Sequence, residues 1–215
     1  MQTSKFDTFR QKKNSQWCAP ACLAFILNLF GEKYSVSEVA KKLPISRKYG
    51  IGLFDLALFP LMAGYAVDIH AWSAQHFPVA WRRMNQKQLR ESLKKNNPKV
   101  GSWHKALLSA LEHGAQFYAR PITTSEIEKR FKNRQGVILY IDSAVLYQHA
   151  DGIWGHYVVL KKISRKIWTI FDPHWRYGGL KHYQKDVILS AFYSVGGYCL
   201  FISPKRKKCS DRYIL

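Results

Sequence analysis

The apolar positions of this chain change spacing about two thirds of the way along. In the first part they come in long runs or at helical spacing. Ala19 to Phe30 is nearly all apolar or helix-favouring, ends at Gly31, and carries Pro20 in its first turn, where proline is tolerated. It reads as a buried central helix with Cys18 at or just before its N-terminus. Ser37 to Leu43 predicts a short helix stopped by Pro44, and Leu53 to Ala63 a third ended by Gly64. Tyr65 to Ala71 predicts a strand. A polar helix is expected around Gln86 to Lys95 and another from Trp103 to His113, while Thr123-Thr124-Ser125-Glu126 offers a capping box for a helix through Phe131.

Later the spacing shortens. Val137 to Ile141, His156 to Ile163, Lys166 to Phe171 and Tyr198 to Ile202 are β-branched or aromatic runs separated by turn signals, as consecutive strands should be. Asp186 to Phe192 interrupts them as a short helix. Helices first and strands later predict an α+β fold, with an N-terminal helical part packed on a mostly antiparallel sheet. No internal repeat or low-complexity linker divides the chain. The expectation is one domain over 1–215 with a basic tail at 204–215.

Composition narrows the class. At 215 residues the chain can bury one sizeable core, and 47% hydrophobic with 22% charged residues excludes a disordered segment. No apolar run is long enough to predict a membrane-spanning helix. Met1 to Asn14 is polar and basic, without the apolar stretch of a secretory signal. Four cysteines (Cys18, Cys22, Cys199 and Cys209) are too few and scattered for a disulfide framework and fit a reducing, cytoplasmic setting. The charge is unusual: 34 Lys+Arg against 14 Asp+Glu, formally +20. It concentrates at 81–105 and at Lys205-Arg206-Lys207-Lys208, which points to polyanion contact: nucleic acid, an anionic membrane surface or an acidic protein.

Three words carry candidate chemistry. Trp17-Cys18-Ala19-Pro20-Ala21-Cys22 opens the apolar helix, Gly155-His156-Tyr157-Val158-Val159 opens a β run, and Phe171-Asp172-Pro173 closes the next. A helix N-terminus favours a thiolate and offers N–H donors to an oxyanion. A histidine held on a strand can act as base, and an aspartate across a hairpin can accept its Nδ1 proton. Each residue alone has a plainer reading: a cysteine in an apolar helix packs in the core, a strand histidine is structural, and Asp-Pro makes a turn. Their joint order is what points to a nucleophile, a base and an orienting group. Cys22, one turn on, reads as core packing in preference to a resolving thiol. No Cys/His pair has zinc spacing, so neither metal nor cofactor is expected. His149 and Asp151 read as a solvated loop, and His174 and Trp175 as candidates to line the cleft. The aromatic residues read as core.

With those words the chain resembles the papain-like cysteine peptidases of the C39 type, the bacteriocin-leader peptidases and their stand-alone relatives. Their Cys-Gly-Pro-Ala, Gly-His-Tyr/Trp-Val-Val and Asp-Pro words match Cys18-Ala19-Pro20-Ala21, Gly155 to Val159 and Asp172-Pro173; Gly50-Ile51-Gly52-Leu53 and Ala63-Gly64-Tyr65 are weaker echoes. The resemblance implies a papain-like fold, Cys18, His156 and Asp172 as catalytic residues, and a peptide or protein substrate. Two positions depart from the pattern. Ala19 stands where the family has glycine, and the oxyanion glutamine falls to Gln11, one position further upstream than the usual spacing, with Lys12 in the expected place and Gln16 too close. Three functions follow: hydrolysis of an amide bond through a Cys18 acyl-enzyme, transfer of the same acyl group to an amine, or a catalytically idle basic binding module.

Overall fold

A computed structural model of the protein describes residues 6–46, 48, 50–73, 75–95, 102–148 and 155–205. His149, Asp151, Cys209 and the tail from 206 onward lie outside them. The described residues open with a 3-10 turn (Asp7–Phe9), followed by the helices and strands α1 (Cys18–Leu29), α2 (Val36–Lys41), α3 (Leu53–Met62), β1 (Ala66–His70), α4 (Gln86–Lys95), α5 (Ser102–Glu112), β2 (Gln116–Tyr118) and α6 (Thr124–Lys132). It continues with β3 (Gly136–Asp142), α7 (Ser143–Tyr147), β4 (Gly155–Ile163), β5 (Ile167–Asp172), β6 (Gly179–Gln184), α8 (Lys185–Tyr193) and β7 (Cys199–Ser203). Each predicted helix and strand is present within a residue or two. The Thr123–Glu126 capping box forms, and a second, Ser35 with Glu38, starts α2 at Val36. The sequence reading passed over β2, β6 and α7, which are too short or too polar to show a period of their own.

The strands form one sheet in the order β2-β1-β7-β3-β4-β5-β6, antiparallel except for β1 beside β2. The N-terminal helices pack on this mostly antiparallel sheet as expected, and further helices, α8 among them, cover its other face. The reason lies in the central strands, which are apolar on both sides as fully buried strands must be. Ile138, Tyr157, Val159, Phe171 and Leu200 face the core shared with α1 to α5. Val137, Leu139, Ile141, Val158, Leu160, Trp168 and Ile170 face a second core under α7 and α8.

Helix α1 is buried from Ala19 to Leu27 and lies against β4 and β3. Phe25 stacks on Phe171 of β5 with ring centroids 4.1 Å apart, so the helix is fixed beside the strand that ends in Asp172. The N-terminal segment straps the next turn: Phe9 packs edge-on against Phe25, Gln11 N–H donates to Pro173 O at 2.8 Å, and Arg10 donates to Trp175 O at 3.4 Å.

The turn after β5 folds back tightly on itself. A Cβ on Gly178 would stand 2.2 Å from His174 O and 2.5 Å from Asp172 O, both main-chain atoms that cannot move aside alone. Gly178→Ala should therefore destabilise the protein by about 1–3 kcal/mol, the range for overpacking. Thermal unfolding should register this as a fall of roughly 2–4 °C per kcal/mol for a chain of this size. An unchanged melting temperature would mean that this turn relaxes freely.

Candidate active site

His156 and Asp172 meet through strand register. The β4–β5 pairing sets Val159 opposite Phe171, and the same register carried one step further sets Val158 opposite Asp172. His156 is thus the diagonal neighbour of Asp172 on one face, within reach for a long side chain. Alternation along β4 gives His156 the same facing as Val158 and Leu160, toward the α7–α8 core. Cys18 comes from the opposite layer, at the first residue of α1. The site is assembled where the two layers meet beyond the strand ends.

His156 Nε2 lies 2.9 Å from Asp172 Oδ1, and the Cys18 thiol is hydrogen-bonded to the same imidazole. The sequence reading had paired Asp172 with Nδ1. Nε2 is the nitrogen that reaches the carboxylate, which leaves Nδ1 for the thiol. Asp172 is 0% exposed, and two further donors reach its carboxylate. Tyr147 Oη donates to Oδ2 at 2.6 Å, and His174 N–H donates to Oδ1 at 2.8 Å.

These contacts set the charges. Burial pushes the Asp172 carboxyl up, but His156 and the Tyr147 and His174 donors outweigh it and hold its pKa below the ordinary value. For His156, burial disfavours the imidazolium, and the Asp172 charge and hydrogen bond reverse that, raising its pKa. Burial likewise disfavours the Cys18 thiolate, while His156 and the backbone groups of Tyr157 and Ala19 bring its pKa below the ordinary thiol value. Cys22 has no such help. Its thiol donates to Tyr157 O at 3.2 Å, and burial together with the neighbouring Cys18 pushes its pKa well up, as befits a packed core cysteine.

A cavity of about 650 Å³ opens beside Cys18, walled by Gln16, Phe54, Trp103, Tyr140, Tyr157 and Tyr198 among others. Gln16, not Gln11, is the glutamine on this wall. Gln11 lies half-buried under the loop, its Nε2 donating to Ser15 O at 3.1 Å and its Oε1 buried without a partner. His174 stands behind Asp172, its Nδ1 accepting from Arg176 N–H and Tyr177 N–H and its ring stacked on Tyr177. Tyr147 had no signal of its own in the sequence. The one available clue was Asp142-Ser143, since Asp142 caps the first turn of α7 by accepting from Ala144 N–H. Among the described residues no group of three His, Cys, Asp or Glu is placed to hold a metal ion.

Tyr147→Phe removes one donor from a buried carboxylate, which should cost about 1–3 kcal/mol near neutral pH. The loss also raises the pKa of Asp172 in the folded state. A depressed carboxyl contributes stability above its unfolded-state pKa and loses it as pH falls through the folded value, so raising that value shrinks the contribution. The gap between wild type and variant, measured by denaturant unfolding, should therefore narrow as pH drops below the carboxylate range. A gap that stays constant with pH would separate Tyr147 from the charge of Asp172.

Two solved structures share this fold. One is the double glycine motif protease from an AMS/PCAT transporter, in complex with the leader peptide: 15% identity, 91% of this chain and 89% of that chain covered, TM-score 0.50. The other is the peptidase domain of Streptococcus ComA, a bi-functional ABC transporter involved in a quorum sensing pathway: 14% identity, 91% and 96% covered, TM-score 0.50. No curated protein sequence matches significantly. No helix among the described residues is long and apolar enough to cross a membrane. The profile of the Peptidase_C39 like family matches residues 3–199, nearly the whole chain, and the protein belongs to that family.

Proposed function

We propose that the protein is a cysteine-dependent amide hydrolase acting on a peptide, with Cys18 as nucleophile, His156 as acid and base, and Asp172 as the residue that orients His156. The observation that carries this is the continuous chain from the Cys18 thiol through His156 to the buried Asp172, opening on a cavity. The leader peptide bound to one structural neighbour supports a peptide as the substrate class.

In this reading the thiolate adds to the carbonyl carbon and the oxyanion forms beside the α1 N-terminus, where backbone N–H groups and the helix dipole favour negative charge. The imidazolium Nδ1 gives its proton to the departing amine as the C–N bond breaks. Water then adds to the thioester carbonyl, losing its proton to His156, and the thiolate departs to leave a free carboxylic acid. Gln11 was the sequence's candidate for a side-chain donor to the oxyanion. Gln11 turns its carboxamide to Ser15, and Gln16, which lines the cavity, takes the donor role in this reading. The exposed Arg82, Arg83, Lys94 and Lys95 would attract an acidic segment of a partner. Free thiols at Cys18, Cys22 and Cys199 are consistent with a reducing, cytoplasmic setting.

Iodoacetamide at neutral pH, read by peptide mass spectrometry, should label Cys18 and leave Cys22 and Cys199 unlabelled, since burial pushes those two thiols up. Labelling should persist below the ordinary thiol pKa of about 8.5 and be lost only as the pair takes up a proton in acid. Peptide turnover should vanish in Cys18→Ala. Gln16→Ala should lower it by about 10²–10³-fold, the effect of losing one oxyanion donor, with alkylation unchanged. A silent Cys18, or turnover that survives Cys18→Ala, would refute the assignment, and an amide product in place of an acid would reassign the acceptor from water to an amine.

A further inference from the structure

One charged group in the cleft has no part in this reaction. Asp55, in the first turn of α3, is half-buried and lines the same cavity as Cys18. Phe54, Phe77, Trp103, Tyr140 and Tyr198 line that cavity too. Although the chain carries 34 lysines and arginines, none is among the described residues lining this cavity. Among the described residues, none but Asp55 itself, through its own backbone N–H, donates to the carboxylate, and burial pushes its pKa up. Tyr157 lines the same cavity, and its hydroxyl donates to Ile51 O at 3.3 Å just before α3.

We propose that Asp55 and the surrounding rings form a subsite for a cationic group of the substrate, the guanidinium or ammonium of an arginine or lysine side chain near the bond offered to Cys18. The assignment of the bond rests on Cys18 being the nucleophile; the cation subsite itself does not. The dipole of α3 stabilises a carboxylate in its first turn and so applies to Asp55, but it does not account for the aromatic rings that line the cavity. A partly desolvated carboxylate that has only its own backbone N–H as a donor among the described residues is costly, and a cation from the ligand offsets that cost. The rings cover the apolar stem of a long basic side chain and present their faces to its charged end. A neutral side chain would desolvate Asp55 without pairing it, and an acidic one would meet repulsion, so the subsite discriminates in both directions. The basic exterior and this acidic cavity then act on different parts of a substrate: the outside on acidic segments, the cleft on a single basic residue.

Binding tests this without any covalent step. Cys18→Ala protein is titrated with Nα-acetyl-arginine amide and with its neutral isostere, Nα-acetyl-citrulline amide, by calorimetry or tryptophan fluorescence. The arginine probe should bind about tenfold more tightly, the scale of one hydrogen bond to a charged group. In Cys18→Ala/Asp55→Asn, which keeps the side-chain shape, that preference should disappear. Equal binding of the two probes to Cys18→Ala, or an arginine preference that survives Asp55→Asn, overturns the proposal. Iodoacetamide labelling of the wild type separates the two readings. An unreactive Cys18 together with an intact arginine preference would remove the hydrolase assignment and support the subsite.

Discussion

A carboxylate with no access to water governs the architecture around the cleft. Asp172 sits at the end of β5 fully enclosed, where an uncompensated charge would cost several kcal/mol. Compensation comes from three separate parts of the chain: His156 from β4, the Tyr147 hydroxyl from α7, and the His174 N–H from the turn that follows. Each needs its own element in register. The β4–β5 pairing sets the diagonal, α7 brings a tyrosine back over the strand end, and Gly178 lets the turn close to backbone contact. The N-terminal strap, through Gln11 and Arg10, holds that turn from outside.

From this anchor the charge pattern follows outward. A negative Asp172 keeps His156 a stronger base than a free imidazole despite burial, and His156 in turn favours the Cys18 thiolate at the start of α1. The helix itself is held by apolar packing on both sides, with the Phe25–Phe171 stack as the link between thiol helix and carboxylate strand. Hydrophobic burial thus fixes distance, while hydrogen bonds fix protonation. The same helix holds Cys22 one turn deeper, where identical chemistry in a dry setting yields an inert thiol.

The distribution of charge over the molecule is equally divided. The strong positive charge comes from 34 lysines and arginines spread along the chain; those of α4 include the exposed Lys94, which pairs with Glu112 at 3.3 Å. Inside the cleft aromatic rings form much of the wall, and among the described lining residues the one carboxylate is Asp55. Net charge describes encounter at a distance, screened beyond about 8 Å at physiological salt. It gives no account of what a half-buried pocket accepts.

Local chemistry was legible in the sequence wherever it repeats along the chain or sits in one short word. The runs at 19–30, 53–63 and 137–141, the Thr123–Glu126 box and the words around Cys18, His156 and Asp172 were all visible, because propensity, capping and nearest-neighbour spacing are properties of consecutive residues. Contacts between distant segments were not. Tyr147 meets Asp172 across 25 positions of sequence, and Tyr157 reaches Ile51 across 106. The nitrogen of His156 that faces the carboxylate depends on a diagonal register, and the choice between Gln11 and Gln16 depends on how one loop turns. Asp55 reads in sequence as an ordinary acid in the first turn of a helix; only the fold puts it in one cavity with aromatic rings from four other parts of the chain and with no lysine or arginine among the described residues that line it. Local rules name the residues that can do chemistry, and long-range packing decides which of them are desolvated, paired and brought together, since burial and distance exist only once the layers have closed.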